Sequence, residues 1–279
     1  MIGSMSGSFK GGKRSSVRLS SIEPWDPSTI TTAAWIDASD TSSYSVSGST
    51  LLSSTNTSKQ YDKSGNFNMQ VDGHPTRLID LNGMYVFDFD GSESLISSGG
   101  GPYASSGNHW AIGVFEWHAT DSTKDTFWSA DGSRTYAVSS GSDGGWNGEI
   151  DYDGGNSIVS GTAKNDFTRT ISRDTWTIVS IVFNKSGNQV FGRLNGTTRT
   201  SIHSYSNSMN ATCSDLRMMR NRSGQKLNGR MAEYFHVAAI PGTGSTDISD
   251  VEKAEGYLAH KWGLTGSLPS DHPYKNSAP

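Results

Sequence analysis

The stretch GGWNGEIDYDGG, residues 144–155, holds the residue types in this chain best suited to chemistry on a sugar. Glu149, Asp151 and Asp153 alternate with Ile150 and Tyr152, and strand side chains alternate between faces, so all three carboxylates would point one way. Retaining glycoside cleavage uses such a set as nucleophile, helper and acid/base, with the two principal carboxyl groups about 5 to 5.5 Å apart. Two features oppose that chemistry. Positions i and i+4 lie about 13 Å apart along a strand, so the outer side chains must converge, and Asp153 is one methylene shorter than glutamate. The flanks GSDGGWNG and GGNSIVSG read as loop and leave little strand to hold three carboxylates rigid. The expectation is a polar hairpin or edge strand, and a protein that is not an enzyme.

Other residue sets suit binding. Trp117, Trp128, Trp146 and Tyr152 have the flat apolar rings with one polar handle that stack on sugar faces, and Asp or Asn neighbours accept hydroxyl hydrogen bonds. Asp143, Asp151 and Asp153 lie beside glycine-rich turns and offer oxygen ligands of the kind calcium takes, without the spacing of an EF-hand. No other metal or cofactor is expected. The seven histidines are scattered, and Cys213, the single cysteine, has neither a disulfide partner nor a second thiolate for zinc.

These residues need a scaffold, and composition narrows its class. Only 18% of the 279 residues are charged, and with 32 glycines and many Ser, Thr and Asn the chain reads as short strands joined by tight turns. The net charge of −4 lacks the basic excess of a nucleic-acid binder. No apolar run reaches the roughly 20 residues of a membrane span, and the start MIGSMSGSFKGGKRSS lacks the apolar core of a signal peptide. Residues 1–24 form a Gly/Ser-rich arm carrying Lys10, Lys13, Arg14 and Arg18, with hardly an apolar residue to bury. A neighbouring chain, rather than the arm's own core, is the expected anchor.

From Trp25 onward the pattern is β. TWTIVSIVFN (175–184) and QVFGRLNG (189–196) flank the turn residues KSGN and predict a hairpin, after which Asn195 and Gly196 supply a second tight turn. Similar runs occur at 84–91, 109–119, 125–132, 134–140, 215–222 and 229–240. One helix is predicted over about 247–262, with Ser249 and Glu252 at capping-box spacing, Val251, Ala254 and Leu258 on one face, and Gly263 after the last turn. The tail GSLPSDHPYKNSAP is proline-broken and is expected to run extended over the surface.

Five pieces, AWIDASD (34–40), YDKSGN (61–66), FDG (89–91), LNGRMAEYF (227–235) and AEGYLAHKWGLTGSLPSDHPY (254–274), together resemble concanavalin A-like jelly-roll domains of the laminin-G type, as found in phage structural proteins and bacterial surface proteins. The opening EPWDPSTITTAAWIDASD resembles the start of phage proteins built of little more than this domain. The resemblance implies an all-β, two-sheet antiparallel jelly-roll sandwich over residues 25–279, with one C-terminal helix and the extended N-terminal arm. It implies binding or assembly more often than catalysis. The expected protein is a phage virion component, a head decoration on the capsid surface docked through its arm to other virion proteins such as the major capsid protein, with homo-oligomers and host-surface glycans as further partners. Two alternatives stand beside it: a carbohydrate-binding module or laminarinase-type β-glucanase using Glu149, Asp151 and Asp153, and a tail or fibre-associated adhesion protein.

Overall fold

A computed structural model describes residues 25–52, 61–98, 100–101, 108–118, 126–130, 137–139, 149–150, 171–184, 186–187, 189–198, 215–220, 224–244 and 246–279. Its strands, in chain order, are β1 (Thr32–Asp37), β2 (Val46–Ser47), β3 (Thr50–Leu51), β4 (Asn68–Asp72), β5 (Thr76–Ile79), β6 (Tyr85–Asp90), β7 (Ser94–Ser98), β8 (His109–Trp117), β9 (Thr126–Ala130), β10 (Ala137–Ser139), β11 (Glu149–Ile150), β12 (Thr177–Asn184), β13 (Gln189–Leu194), β14 (Thr197–Thr198), β15 (Leu216–Met218) and β16 (Asn228–Val237). One helix, α1 (Ser249–Lys261), follows.

The strands form two antiparallel sheets. The larger has the order β14-β13-β12-β8-β16-β6-β5-β3-β2, with β1 also on β16, and the smaller has the order β11-β10-β9-β15-β7-β4. A register break beside Ala232 lets β16 hold two partners on one edge, β6 along Asn228–Met231 and β1 beyond it.

Strand β8 shows why the larger sheet is the centre of the molecule. Ala111, Phe115 and Trp117 join the core between the sheets, whereas Trp110, Ile112 and Val114 join a second core against α1. Val179, Ile181 and Phe183 of β12 repeat the inward pattern, and Ile178 and Val182 the outward one. A strand buried on both sides reads as a continuous apolar run, as TIVSIVFN and HWAIGVFEW do. The layers are therefore small sheet, large sheet, and helix with tail.

Local chemistry explains the connections. Asn195 (φ 48°) and Gly196 (φ 75°) both take positive φ between β13 and β14, the type I′ geometry that matches strand twist. Val251, Ala254 and Leu258 are buried as expected, and Gly263 (φ 73°) ends the helix while the Leu264 N–H donates to the Ala259 carbonyl at 2.7 Å. The helix start differs from expectation. Ser249 makes no capping bond with its side chain; instead the Asp247 carboxylate accepts from the Ser249 N–H at 2.8 Å and the Thr243 N–H at 2.7 Å. The tail also differs, because it turns back and packs. Leu268 and His272 are buried, and the Lys275 ammonium donates to the carbonyls of Thr265, Gly266 and Leu268. Gly256 makes the crossing possible, since a Cβ there would lie 2.4 Å from that of Tyr274.

Candidate functional site

Among the described residues, the part of the expected sugar-cleaving strand that is placed, Glu149–Ile150, lies at a sheet edge. β11 is only two residues long and pairs with β10 at the end of the small sheet, Glu149 opposite Ser139. Asp143, Trp146, Asp151, Tyr152 and Asp153 lie outside the described residues, as do Lys10, Lys13, Arg14 and Arg18 of the arm. Trp117 and Trp128 are placed, and both are buried in the core between the sheets. The Trp128 ring packs on Phe115 and Tyr234 at centroid distances of 5.4 Å, and Trp117 lies 4.8 Å from the Arg173 guanidinium. Neither ring offers an open face, so their role as sugar platforms is corrected to core packing, the usual fate of tryptophan in a sandwich. Among the described residues no group of three or more His, Cys, Asp or Glu side chains is arranged to hold a metal ion.

Among the described residues, α1 and the tail cover one face of the large sheet and the small sheet covers the other. This leaves the outer face of β4 and β7 as exposed strand surface, whereas Ser129 of β9, opposite Arg217, is only 1% exposed. Met69, Leu95, Leu216 and Met218 point inward from the small sheet. Alternation then sends Gln70, Ile96 and Arg217 outward, and register places them in one transverse row. Gln70 is exposed and Arg217 half-buried. The Arg217 guanidinium is oriented by Asp215, whose Oδ2 accepts from Nη2 at 2.7 Å and Nε at 3.1 Å. One strand end further, Asp72 accepts from Arg220 at 2.7 Å and Lys226 at 2.9 Å. Partial burial alone would raise the Asp72 pKa, and these two cations outweigh it and lower it. Amide, guanidinium and carboxylate groups in a row supply the donors and acceptors that bind a polar, hydroxyl-bearing ligand.

A second polar surface lies on the other side of the large sheet, beyond the helix. Arg230 is the hub: its Nε donates to Asp88 at 2.9 Å and its Nη1 to Asp80 at 2.8 Å and Glu116 at 3.2 Å. His118 sits between Glu116 and Asp174, 3.0 Å from each.

Two further carboxylates are buried between α1 and the large sheet, and sequence reasoning missed both. Glu255 forms a fork with Arg193, Oε1 to Nε at 2.7 Å and Oε2 to Nη2 at 2.8 Å, and His272 Nε2 lies 3.2 Å from Oε2. Glu233 accepts four bonds: Trp35 Nε1 (2.8 Å) and Tyr257 OH (3.1 Å) on Oε1, Lys261 Nζ (2.7 Å) and Trp262 Nε1 (2.9 Å) on Oε2. The same Lys261 ammonium reaches Asp37 Oδ2 at 2.9 Å. The available signal was a carboxylate where the pattern calls for an apolar residue. Glu233 lies inside the apolar run MAEYFHV, and Glu255 falls on the helix stripe beside Ala254 and Leu258. Buried charges are kept only when paired.

No protein-family model matches the sequence, and no curated protein matches it. Among solved structures the chain is similar to a receptor binding domain, at 13% identity and a TM-score of 0.51, over 82% of this chain and 51% of that one. It spans only about half of that protein's length. It is also similar to the fourth domain of AbnA, an extracellular arabinanase from Geobacillus stearothermophilus in complex with arabinotriose, at 14% identity and TM-score 0.49 over 68% of this chain and 89% of that one. A Trypanosoma rangeli sialidase matches at 10% identity and TM-score 0.49 over 79% of this chain and 32% of that one. At such identities the likeness to the receptor binding domain shows the two-sheet sandwich fold alone and leaves activity to be argued from the residues.

Proposed function

We propose that the chain is a non-enzymatic recognition domain of a phage virion surface, which binds glycans through the outer face of its small sheet and is held on the capsid by its N-terminal arm. The observation that carries the binding reading is the outward row of Gln70, Ile96 and Arg217, an amide and a guanidinium flanking one apolar side chain, on a sheet whose partner is buried on both faces. Rigid support beneath adaptable polar groups is the usual construction of a binding surface. The non-enzymatic part is supported by the carboxylates Asp37, Glu233 and Glu255, which are buried and tied to basic or N–H partners that exclude substrate. The virion setting is supported by the sequence resemblance and by the basic, core-less composition of residues 1–24.

A glycan array probed with the full chain tests the first part. Binding to a defined set of glycans is expected, with Arg217→Ala weakening it about tenfold, the loss of one charge-assisted hydrogen bond. Binding unchanged in Arg217→Ala and in Gln70→Ala moves the site elsewhere, and release of reducing sugar from a bound β-glucan overturns the non-enzymatic reading. Deleting residues 1–24 is expected to abolish incorporation into particles, and a truncated chain that still incorporates ends the arm hypothesis.

A further inference from the structure

We propose that Asp37 and Lys261 condense into an intramolecular amide that ties the end of β1 to the end of α1, with Glu233 carrying the protons. This bond is independent of glycan binding and of the virion setting.

The three groups meet in a buried site walled by aromatic rings. Lys261 Nζ lies 2.9 Å from Asp37 Oδ2 and 2.7 Å from Glu233 Oε2, with side-chain exposures of 4% for Asp37, 0% for Glu233 and 19% for Lys261. The ammonium also stands 5.1 Å from the Trp262 ring centroid and 5.5 Å from that of Tyr257. The Asp37 carboxyl is set up as an acceptor of a nucleophile. Its Oδ1 takes the Ser39 backbone N–H at 3.0 Å and the Ser39 hydroxyl at 2.6 Å, two donors on the oxygen that would hold the developing negative charge. Its Oδ2, the oxygen that would leave, faces Lys261 and the Lys63 ammonium, the latter at 3.0 Å.

The chemistry balances without another reactant. An ammonium and a carboxylate give an amide and one water. Glu233 Oε2 takes a proton from Lys261, the freed amine attacks the Asp37 carboxyl carbon, and the C–Oδ2 bond breaks. The two protons that nitrogen loses leave with that oxygen as water, passed through Glu233, which ends as it began. Burial first, and the Asp37 charge second, raise the Glu233 pKa, which suits a group that must hold a proton and return it. Burial alone would raise the Asp37 pKa, but Lys261, the Ser39 hydroxyl and Lys63 together outweigh it and lower it, so proton delivery from Glu233 is the step on which the reaction depends. Holding reacting groups in contact away from water is worth effective concentrations of about 10⁵ to 10⁸ M, enough for a condensation that never occurs in open solution. Lys63 does not compete, because its second carboxylate is Asp40 at 3.1 Å and it makes no contact with Glu233.

Intact-mass measurement of the full chain, denatured after prolonged incubation at physiological temperature, tests the proposal. The expected mass is lower than the sequence mass by one water, whereas Lys261→Arg, which keeps the charge but not the amine, shows its full sequence mass. Trypsin should leave residues 19–59 joined to residues 254–275, with no cut after Lys261. Glu233→Gln should slow formation about 10²-fold to 10⁴-fold, the usual worth of a positioned proton carrier. A wild-type chain at its full sequence mass means a permanent ion pair and overturns the proposal, a result that needs no variant to fold. A bridge from Asp37 to Lys63 overturns the assignment of the nucleophile and the part given to Glu233.

Discussion

Glu233 lies beneath α1 and Glu255 on the buried face of α1 itself, both out of contact with water, yet their ionisation is pushed in opposite directions. Glu255 faces a guanidinium it does not share with another buried acid; burial alone would raise its pKa, but the bonds from Arg193 and His272 outweigh burial and lower it. Glu233 shares one ammonium with Asp37; burial and the Asp37 charge together raise its pKa. Burial is common to both, so the local count of charges decides which acid is comfortable as an anion.

The sharpest way to break this comparison is Arg193→Met. It strands the Glu255 anion and should destabilise the fold by about 3 to 5 kcal/mol in urea denaturation. The double replacement Arg193→Met with Glu255→Leu should recover most of that loss, and failure to recover would mean that Glu255 also carries the His272 contact on its own. On the other side, Trp262→Phe removes one of four donors to Glu233 and should cost about 1 to 3 kcal/mol in the same measurement.

The pH dependence sharpens the contrast. A carboxyl lowered in the fold contributes stability above its ordinary value of 4.5 that is lost as pH falls, so Glu255→Gln should flatten the acid limb of a stability profile. A carboxyl raised in the fold contributes most below 4.5 and loses stability as pH rises, so Glu233→Gln should flatten the limb above it. A tenfold change in proton affinity between the folded and unfolded chain is worth about 1.4 kcal/mol, well within reach of such a profile. His236 adds to the acid side: burial lowers it to about 3, beside the stacked ring of His109 at 5.1 Å, so stability is lost as pH falls from 6.5 toward 3. His236→Phe should remove that part of the acid limb. The smallest effect is expected at Gly196→Ala, where positive φ and a Cβ 2.7 Å from His272 Cδ2 should cost about 1 kcal/mol or somewhat more, read as a lower melting temperature.

The strands and the helix were legible because their signals are local. The β-branched and aromatic run in TWTIVSIVFN, the Asn195–Gly196 pair and the Val251, Ala254, Leu258 stripe each need only a few neighbouring residues to be read. The helix start was not, because Ser249 and Asp247 both have the chemistry of a cap, and only the fold of the preceding loop, where Thr243 also donates to Asp247, decides between them. Trp117 and Trp128 show a second limit: ring type suggests stacking on a ligand, but which face of a strand is covered depends on the other sheet. The Glu233 cluster was out of reach for a similar reason, since Asp37, Glu233 and Lys261 are brought together by β1, β16 and α1 from three distant parts of the chain.

The Trp25 N–H donates to the Pro279 carbonyl at 3.1 Å, so the residue after the arm and the last residue of the tail touch. A short flexible linker between those two points, with new ends cut at Gly48 in the β2–β3 turn, where a Cβ would meet nothing within 4 Å, would give a circular permutant. Such a permutant would keep every strand pairing in either sheet except the two-residue β2–β3 hairpin at the rim, and would carry a fused cargo at a different place on the surface.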